Sequence, residues 1–213
     1  GRTLKIAAIV TLVSLAIGYP LAYFLARTRT AWRGVLMFLV IAPLMSGVIV
    51  RTYGWIVLFG TEGLVNSVLK AVGLINAPLQ LLNTQFGLIV ALVHILVPYM
   101  VFPIFSALAG LDRNVERAAS TLGARGWRVF FEVTLPLSRS GIVMGSALVF
   151  TLTAGAVVTP ALMGPRDGRV LGQMVYELVS SVLNWPLAAA AASLLVLCQF
   201  LIIFAKFRSG RRV

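Results

Sequence analysis

The chain has 213 residues, 60% of them hydrophobic and only 11% charged, with a mean hydropathy of +0.98. That balance excludes an ordinary soluble domain and points to an integral membrane protein. The net charge of +12 is no mark of nucleic-acid binding, because the basic residues form no long face and instead punctuate the apolar runs, as a topology signal does.

Runs free of charge define the expected spans in chain order. Residues 6–26 give 21 residues, enough to cross about 30 Å of hydrocarbon at about 1.5 Å per residue. Residues 34–50 give the second span, after which Arg51 interrupts before the apolar stretch 52–61. No Asp, Glu, Lys or Arg occurs over the 41 residues 71–111, too long for one crossing. The first part of that run carries Asn76, Pro78, Gln80, Asn83 and Gln85. Residues 63–83 therefore read as an interfacial or re-entrant helix, and 86–109 as the third span. Residues 140–165 and 178–205 complete a set of five. The expected architecture is all-α: a polytopic helical bundle forming one transmembrane domain over 1–213.

Charge orients the bundle. If the polar insert 112–139 and the tail "KFRSGRR" share the cytoplasmic side, twelve basic residues lie inside and five outside, with Arg51 within a span. The positive-inside rule then puts the amino end outside and the carboxyl end in the cytoplasm. An outward amino end with no initiating Met predicts a further span upstream. The lone cysteine, Cys198, lies in an apolar run. It offers no disulfide framework and no metal cluster, and reads as a small buried hydrophobe.

Several span residues can carry more than packing. A charge at the position of Arg51, in "VIVRTYGW", costs at least about 2.5–3.5 kcal/mol in lipid. Its side chain must snorkel toward the outer boundary near Trp55 or line a vestibule. His94, the only histidine, sits beside Pro98 and suits either a hydrogen bond between helices or a gate. Pro43, Pro98, Pro103 and Pro160 free carbonyls that must find protein or a wet cavity. The small, hydroxylated run "TLTAGAVVTPALMG" at 151–164 suits helix packing. It also offers Thr153, Thr159 and Pro160 as candidate lining of a path through the bundle, with Tyr53, Trp55, Tyr99, Tyr176 and Trp185 as aromatic faces.

The insert is the anomaly in this chain. Asp112 or Asn114 can cap a helix, Glu116 sits in its favourable first turn, and Gly123 can supply a left-handed stop. Val115, Ala118, Ala119 and Leu122 make one apolar stripe, and Glu116, Arg117, Ser120 and Thr121 cover the other side. A second short helix at 126–133 follows, and Pro136 is expected to begin the next membrane segment. The result is a small helix–turn–helix knob, either an ordinary structured loop or a docking element.

The sequence "ERAASTLGA", followed after a spacer by "FFEVTLP", resembles the EAA loop of permease subunits of binding-protein-dependent ABC importers. Ala118, Ala119, Gly123, Leu135 and Pro136 match the motif, while Arg117 stands where the family carries its glutamate and Glu116 precedes it by one residue. "GLVNSVLKAVGLI", "VPYMVFPIFSALAGLD", "VVTPALMG" and "LNWPLAAAAASLL" extend the resemblance over about 45–205 and favour the spermidine/putrescine-type branch. The resemblance implies a type I importer permease in the bacterial cytoplasmic (inner) membrane. Such a subunit forms the solute pathway with a second, similar but different permease chain. It couples to a cytoplasmic ABC ATPase dimer and receives solute from an extracytoplasmic binding protein. Glu116, Arg117, Ala118, Ala119, Leu122, Gly123, Ala124, Arg125, Leu135 and Pro136 are then the coupling residues. The small ones allow close approach, and Arg117, Arg125 and Arg128 can meet acidic groups.

This chain has no G-x-x-x-x-G-K-[ST] loop, so ATP and Mg belong to the partner ATPase and no cofactor is expected on the chain itself. The resemblance favours a polyamine as cargo, and extends to importers of opines, phosphonates and iron. Against a polycation, the spans hold no acid, and only Glu62, Asp167 and Glu177 fall on the outer side. That same lack of intramembrane carboxylates, with no internal repeat, argues against an ion-coupled secondary transporter. With no G-x-S-G or G-x-G-D motif, an intramembrane protease is excluded too.

Overall fold

The computed structural model describes residues 2–28, 32–121, 123–165 and 170–210, and every regular element among them is helical. In chain order these are α1 (Arg2–Arg27), α2 (Trp32–Met45), α3 (Val48–Phe59), α4 (Leu64–Ala71), α5 (Gln85–Ala109), α6 (Arg113–Thr121) and α7 (Gly126–Val129). A π-helical turn (Phe130–Thr134) leads into α8 (Leu135–Leu137), α9 (Arg139–Ala154), α10 (Val158–Met163), α11 (Leu171–Ser180) and α12 (Trp185–Gly210).

The core is a three-helix unit of α1, α5 and α9. One face of α1 is buried, through Ile6, Val10, Ser14, Gly18, Ala22 and Leu25, at the spacing of three to four that a helix face requires. The opposite face presents Leu12, Ile17 and Phe24, each at least half exposed. A helix apolar all round whose outer face is uncovered belongs in a bilayer. Helix α9 reaches α5 backbone to backbone. A Cβ at Gly141 would lie 2.6 Å from the Pro103 carbonyl oxygen, and one at Gly145 would lie 3.1 Å from that of Met100. Glycines four residues apart remove the bulk that would hold these helices apart, the packing device characteristic of membrane helices.

α1, α5 and the stretch Val48–Ala71 are long and apolar enough to cross a membrane. Gly126–Leu137 with Arg139–Ala154, bent by 63°, makes a fourth candidate, and Arg33–Met45 and Trp185–Phe200 are shorter apolar helices. Each of the five expected crossings contains helix, with corrected boundaries. The second is broken at 46–47, where the Ser46 amide and hydroxyl both take the Pro43 carbonyl, so Arg51 belongs to the following helix α3. The fourth starts at Arg139 and breaks between α9 and α10. The fifth starts at Trp185 rather than at 178. Residues 171–180 form the separate helix α11, and the turn between places Leu183 at φ 54°. The Asn184 side chain then accepts the Leu187 amide at 3.2 Å.

The expected interfacial helix within 63–83 is shorter than that range. α4 is followed by an irregular return segment held by one buried side chain. Asn66 donates to the Gly60 carbonyl at 2.9 Å and the Leu79 carbonyl at 3.0 Å, and accepts the Leu79 amide at 2.8 Å. At the same end of the bundle the Thr3 hydroxyl accepts the Leu171 amide at 3.0 Å. The insert lies at the other end, beside the last turn of α1.

Candidate functional site

The insert is a built element. The Asp112 carboxylate accepts the Asn114 amide at 2.9 Å, which starts α6. Gly123 ends it at φ 89°, in the left-handed region that favours glycine. The Gly123 and Ala124 amides return to the carbonyls of Ser120 and Ala119 at 3.0 and 3.1 Å. The second helix runs further than expected. It continues through the π turn to Leu137, so Pro136 lies in its last turn, and the membrane segment begins only after the bend at Ser138. A π turn offsets the helix face by one residue, here next to the bend.

Which side of α6 faces the bundle runs against its polarity. Glu116 points inward, where its carboxylate pairs with the Arg27 guanidinium at the end of α1 and accepts the Thr134 hydroxyl at 2.7 Å. The Arg27 and Glu116 side chains are only 17% and 20% exposed, and Thr134 is buried. A second tie lies just beyond, where the buried hydroxyls of Tyr19 and Ser138 share a 3.0 Å hydrogen bond at the bend. Phe130 stands edge-on against both Tyr19 and Tyr23, with ring centroids 5.7 and 5.6 Å apart. The knob is thus clamped to α1 at three points. A cleft of about 660 Å³ lies beneath it, bordered by Tyr23, Arg27, Glu116, Arg117, Thr121 and Phe130.

The outward surface then consists of Val115, Arg117, Ala118, Arg125, Trp127 and Phe131, all exposed. Ala119 and Ala124 are half-buried, Leu135 packs on the core, Pro136 is exposed, and Leu122 lies outside the described residues. Arg128 and Glu132 pair at 3.2 Å, but at 59% and 63% exposure such a pair is worth at most about 1 kcal/mol.

In the membrane segments the expected residues separate into two groups. Arg51, Tyr99 and Thr159 meet around one cavity of about 280 Å³, with Val48, Ile95 and Leu152. Arg51 reaches from α3 to α5. Its guanidinium turns to the Ile95 carbonyl at 3.5 Å. Ile95 is ten residues into the 25-residue helix α5, about 15 Å from its start and close to its middle. Trp55 and His94 form the second group, the indole donating to His94 Nδ1 at 3.2 Å, on an apolar crevice of about 700 Å³ with Pro43 and Phe86. Tyr53 is exposed and borders neither cavity. Thr153 is buried and donates to the Val149 carbonyl at 2.7 Å. Pro160 is buried too, and neither residue borders the Arg51 cavity. Among the described residues no group of three or more His, Cys, Asp or Glu side chains could hold a metal ion.

Sequence reasoning missed several residues. The Gly141–Gly145 spacing was legible as a G-x-x-x-G pattern. The Thr52–Thr159 hydroxyl pair, buried at 3.0 Å between α3 and α10, and the Arg27–Glu116–Thr134 clamp had no local signal, because their members are far apart in sequence.

Comparison with known proteins agrees with this geometry. Residues 18–212 match the model of the binding-protein-dependent transport system inner membrane component. The spermidine/putrescine transport system permease protein PotB of Haemophilus influenzae is 33% identical over 210 residues, covering 99% of this chain and 73% of that protein. Its counterpart from Escherichia coli is 32% identical, at 99% and 76% coverage. The molybdenum transport system permease protein ModB of Azotobacter vinelandii is 31% identical over 212 residues, covering 98% and 92%. Among solved structures, a bacterial ABC transporter importing the acidic polysaccharide alginate superposes with a TM-score of 0.73 at 18% identity, over 100% of this chain and 79% of that one. The MetNI methionine ABC transporter gives 0.71 at 20% identity, over 98% and 91%. With its all-helical type I importer permease fold and its match over 18–212, the chain belongs to the inner-membrane permease components of binding-protein-dependent ABC importers.

Proposed function

We propose that this permease imports a polyamine of the spermidine/putrescine class, paired with a second, similar permease chain. In this reading a cytoplasmic ATPase dimer drives transport and an extracytoplasmic binding protein supplies the solute. The chain is the non-catalytic member: it binds no nucleotide, and ATP and Mg act on the partner subunits. The insert and the carboxyl end face the cytoplasm, consistent with the basic residues Arg27, Arg33, Arg117, Arg125, Arg128 and Arg139 clustering at that end. The polyamine assignment is supported by relatives 32–33% identical over nearly the whole chain.

The observation that carries the coupling role is the clamp of Glu116 on Arg27 and Thr134. A loop that merely joined two spans would need no such fixed anchorage. The clamp leaves Val115, Ala118 and Trp127 facing away from the bundle, 47% and 62% exposed at the two large side chains. A partner pressing on that face moves α6 and, through Arg27, Tyr19 and Tyr23, the end of α1. Because α1 packs along α5 and α9, the movement reaches the helices that border the Arg51 cavity. Closure of the ATPases on ATP is thereby converted into a change of access across the membrane.

The test is uptake of labelled spermidine by proteoliposomes holding the complete complex, with the cognate binding protein outside and ATP inside. ATP-dependent accumulation supports the reading. A binding protein that takes an anionic solute and ignores spermidine and putrescine at millimolar concentration refutes the polyamine assignment and leaves family membership intact.

A further inference from the structure

Among the described residues no acid pairs with Arg51. The acids among them, Glu62, Asp112, Glu116, Glu132 and Glu177, lie in connections, in the insert or in α11, and none in α1, α2, α3, α5, α9, α10 or α12. The guanidinium makes one long hydrogen bond, to the Ile95 carbonyl at 3.5 Å, and its buried Nε meets no acceptor. A guanidinium is planar and offers five donors in a fork that fits a carboxylate. A single marginal bond therefore leaves most of that capacity unused inside a membrane segment.

The cavity it borders has the right scale and the right opening. About 280 Å³ accommodates a carboxylate group with room for water, and Tyr99 and Thr159 are among the residues that line it. Its rim is formed by Val48, Tyr99 and Leu152, which are 41%, 37% and 40% exposed on the surface of this chain. A rim of uncovered apolar side chains around a cation beside the middle of α5 is unsuited to lipid, where an unpaired charge is among the most expensive things to expose. It fits a second protein surface that brings the opposite charge.

We infer that Arg51 receives a carboxylate of the second permease subunit in the resting importer, and that a polyamine ammonium group competes with Arg51 for it during passage. The inference rests on the polyamine reading above. It also answers that reading's chief difficulty: a polycation is best received by acids or aromatic faces, and this chain supplies no acid in its spans, whereas the partner can. The same carboxylate cannot be neutralised by Arg51 and by an ammonium ion at once, so the interfacial pair closes the path at rest and yields when the substrate supplies a competing cation.

The experiment uses the complete complex, with both permeases, the ATPase and the binding protein, in proteoliposomes. Each Asp or Glu in the spans of the second permease is changed singly to Asn or Gln, alone and with Arg51→Gln. Arg51→Lys is included because it keeps the charge and loses the fork. Co-purification of all subunits confirms that each variant assembles. Two quantities are read: ATP hydrolysis without substrate, and spermidine uptake. Arg51→Gln is expected to raise substrate-free hydrolysis several-fold, with Arg51→Lys intermediate. One acid of the second permease should reproduce the effect, and the double variant should be no worse than either single one. The resulting coupling is about tenfold or more, the range of close charge pairs across interfaces. If wild type takes up spermidine and every acid variant combines additively with Arg51→Gln, the inference is overturned and the polyamine reading stands. If wild type takes up no spermidine, both fall.

Discussion

Replacing Glu116 by alanine should release the knob from the bundle. The carboxylate holds two partners, the Arg27 guanidinium and the Thr134 hydroxyl at 2.7 Å. With side chains about one-fifth exposed, the ion pair lies between an exposed pair, worth at most about 1 kcal/mol, and a buried one, whose disruption costs about 3–5 kcal/mol. Thr134, 1% exposed, would keep only the Val129 carbonyl at 3.5 Å, a marginal acceptor whose inadequacy adds about 1 kcal/mol or more. Together these give about 2–4 kcal/mol, and even the lower figure multiplies the undocked population by about 30. Glu116→Gln retains an acceptor for Thr134 and should cost about half as much. Hydrogen exchange of the amides in α6, measured in the assembled complex, reads this population directly when opening is local. Exchange in the middle of α5 should not change. Transport per ATP hydrolysed should fall in the same order, alanine below glutamine below wild type. If the amides of 113–121 exchange within about twofold of wild type in Glu116→Ala, the clamp does not hold the knob, and the proposed route through α1 fails.

Three other substitutions probe separate parts of the molecule. Gly123→Leu places a side chain at φ 89°, which costs about 1–2 kcal/mol in backbone strain, and adds bulk to the face turned toward the partner. Uptake should be lost while the protein still inserts, and a variant with normal uptake contradicts a role for this turn. Gly141→Ala brings a Cβ to 2.6 Å from the Pro103 carbonyl, a backbone clash that neither helix can relieve by rotamer change. A destabilisation of about 1–3 kcal/mol should lower the melting temperature in detergent, and an unchanged value would show that α5 and α9 separate freely. Asn66→Ala removes the hydrogen bonds of one buried side chain to the Gly60 carbonyl and to the Leu79 amide and carbonyl, costing about 1–3 kcal/mol, so protease cleavage between 72 and 84 should rise sharply while ATPase association persists.

Much of this architecture was legible because membrane insertion writes itself into composition. Charge-free runs located helix in each of the five expected crossings, and the capping pattern around Asp112 and Gly123 predicted α6 and its left-handed end. Boundaries were less legible. The breaks at 46–47 and 155–157 depend on local competition for carbonyls, as when Ser46 captures that of Pro43, and hydropathy is blind to it. Polarity alone would leave the glutamate of α6 in solvent. A carboxylate prefers the inside once a cation and a hydroxyl wait there, and Arg27 lies 89 residues away. Arg51 shows the same limit: its span position was clear, but whether it snorkels outward or turns to Ile95 depends on the space between α3, α5 and α9.

Whether the ATPase engages this permease on the outward face of α6 is read by site-specific crosslinking in the assembled complex. Ala118→Cys on the exposed face of α6, in a background with Cys198→Ser, is paired with single cysteines along the surface groove of the ATPase. Leu187→Cys, exposed on α12, serves as the control. Position 118 should crosslink rapidly, to a degree altered by ATP, and position 187 not at all. Failure of position 118 to crosslink in a complex that still transports would contradict engagement on that face.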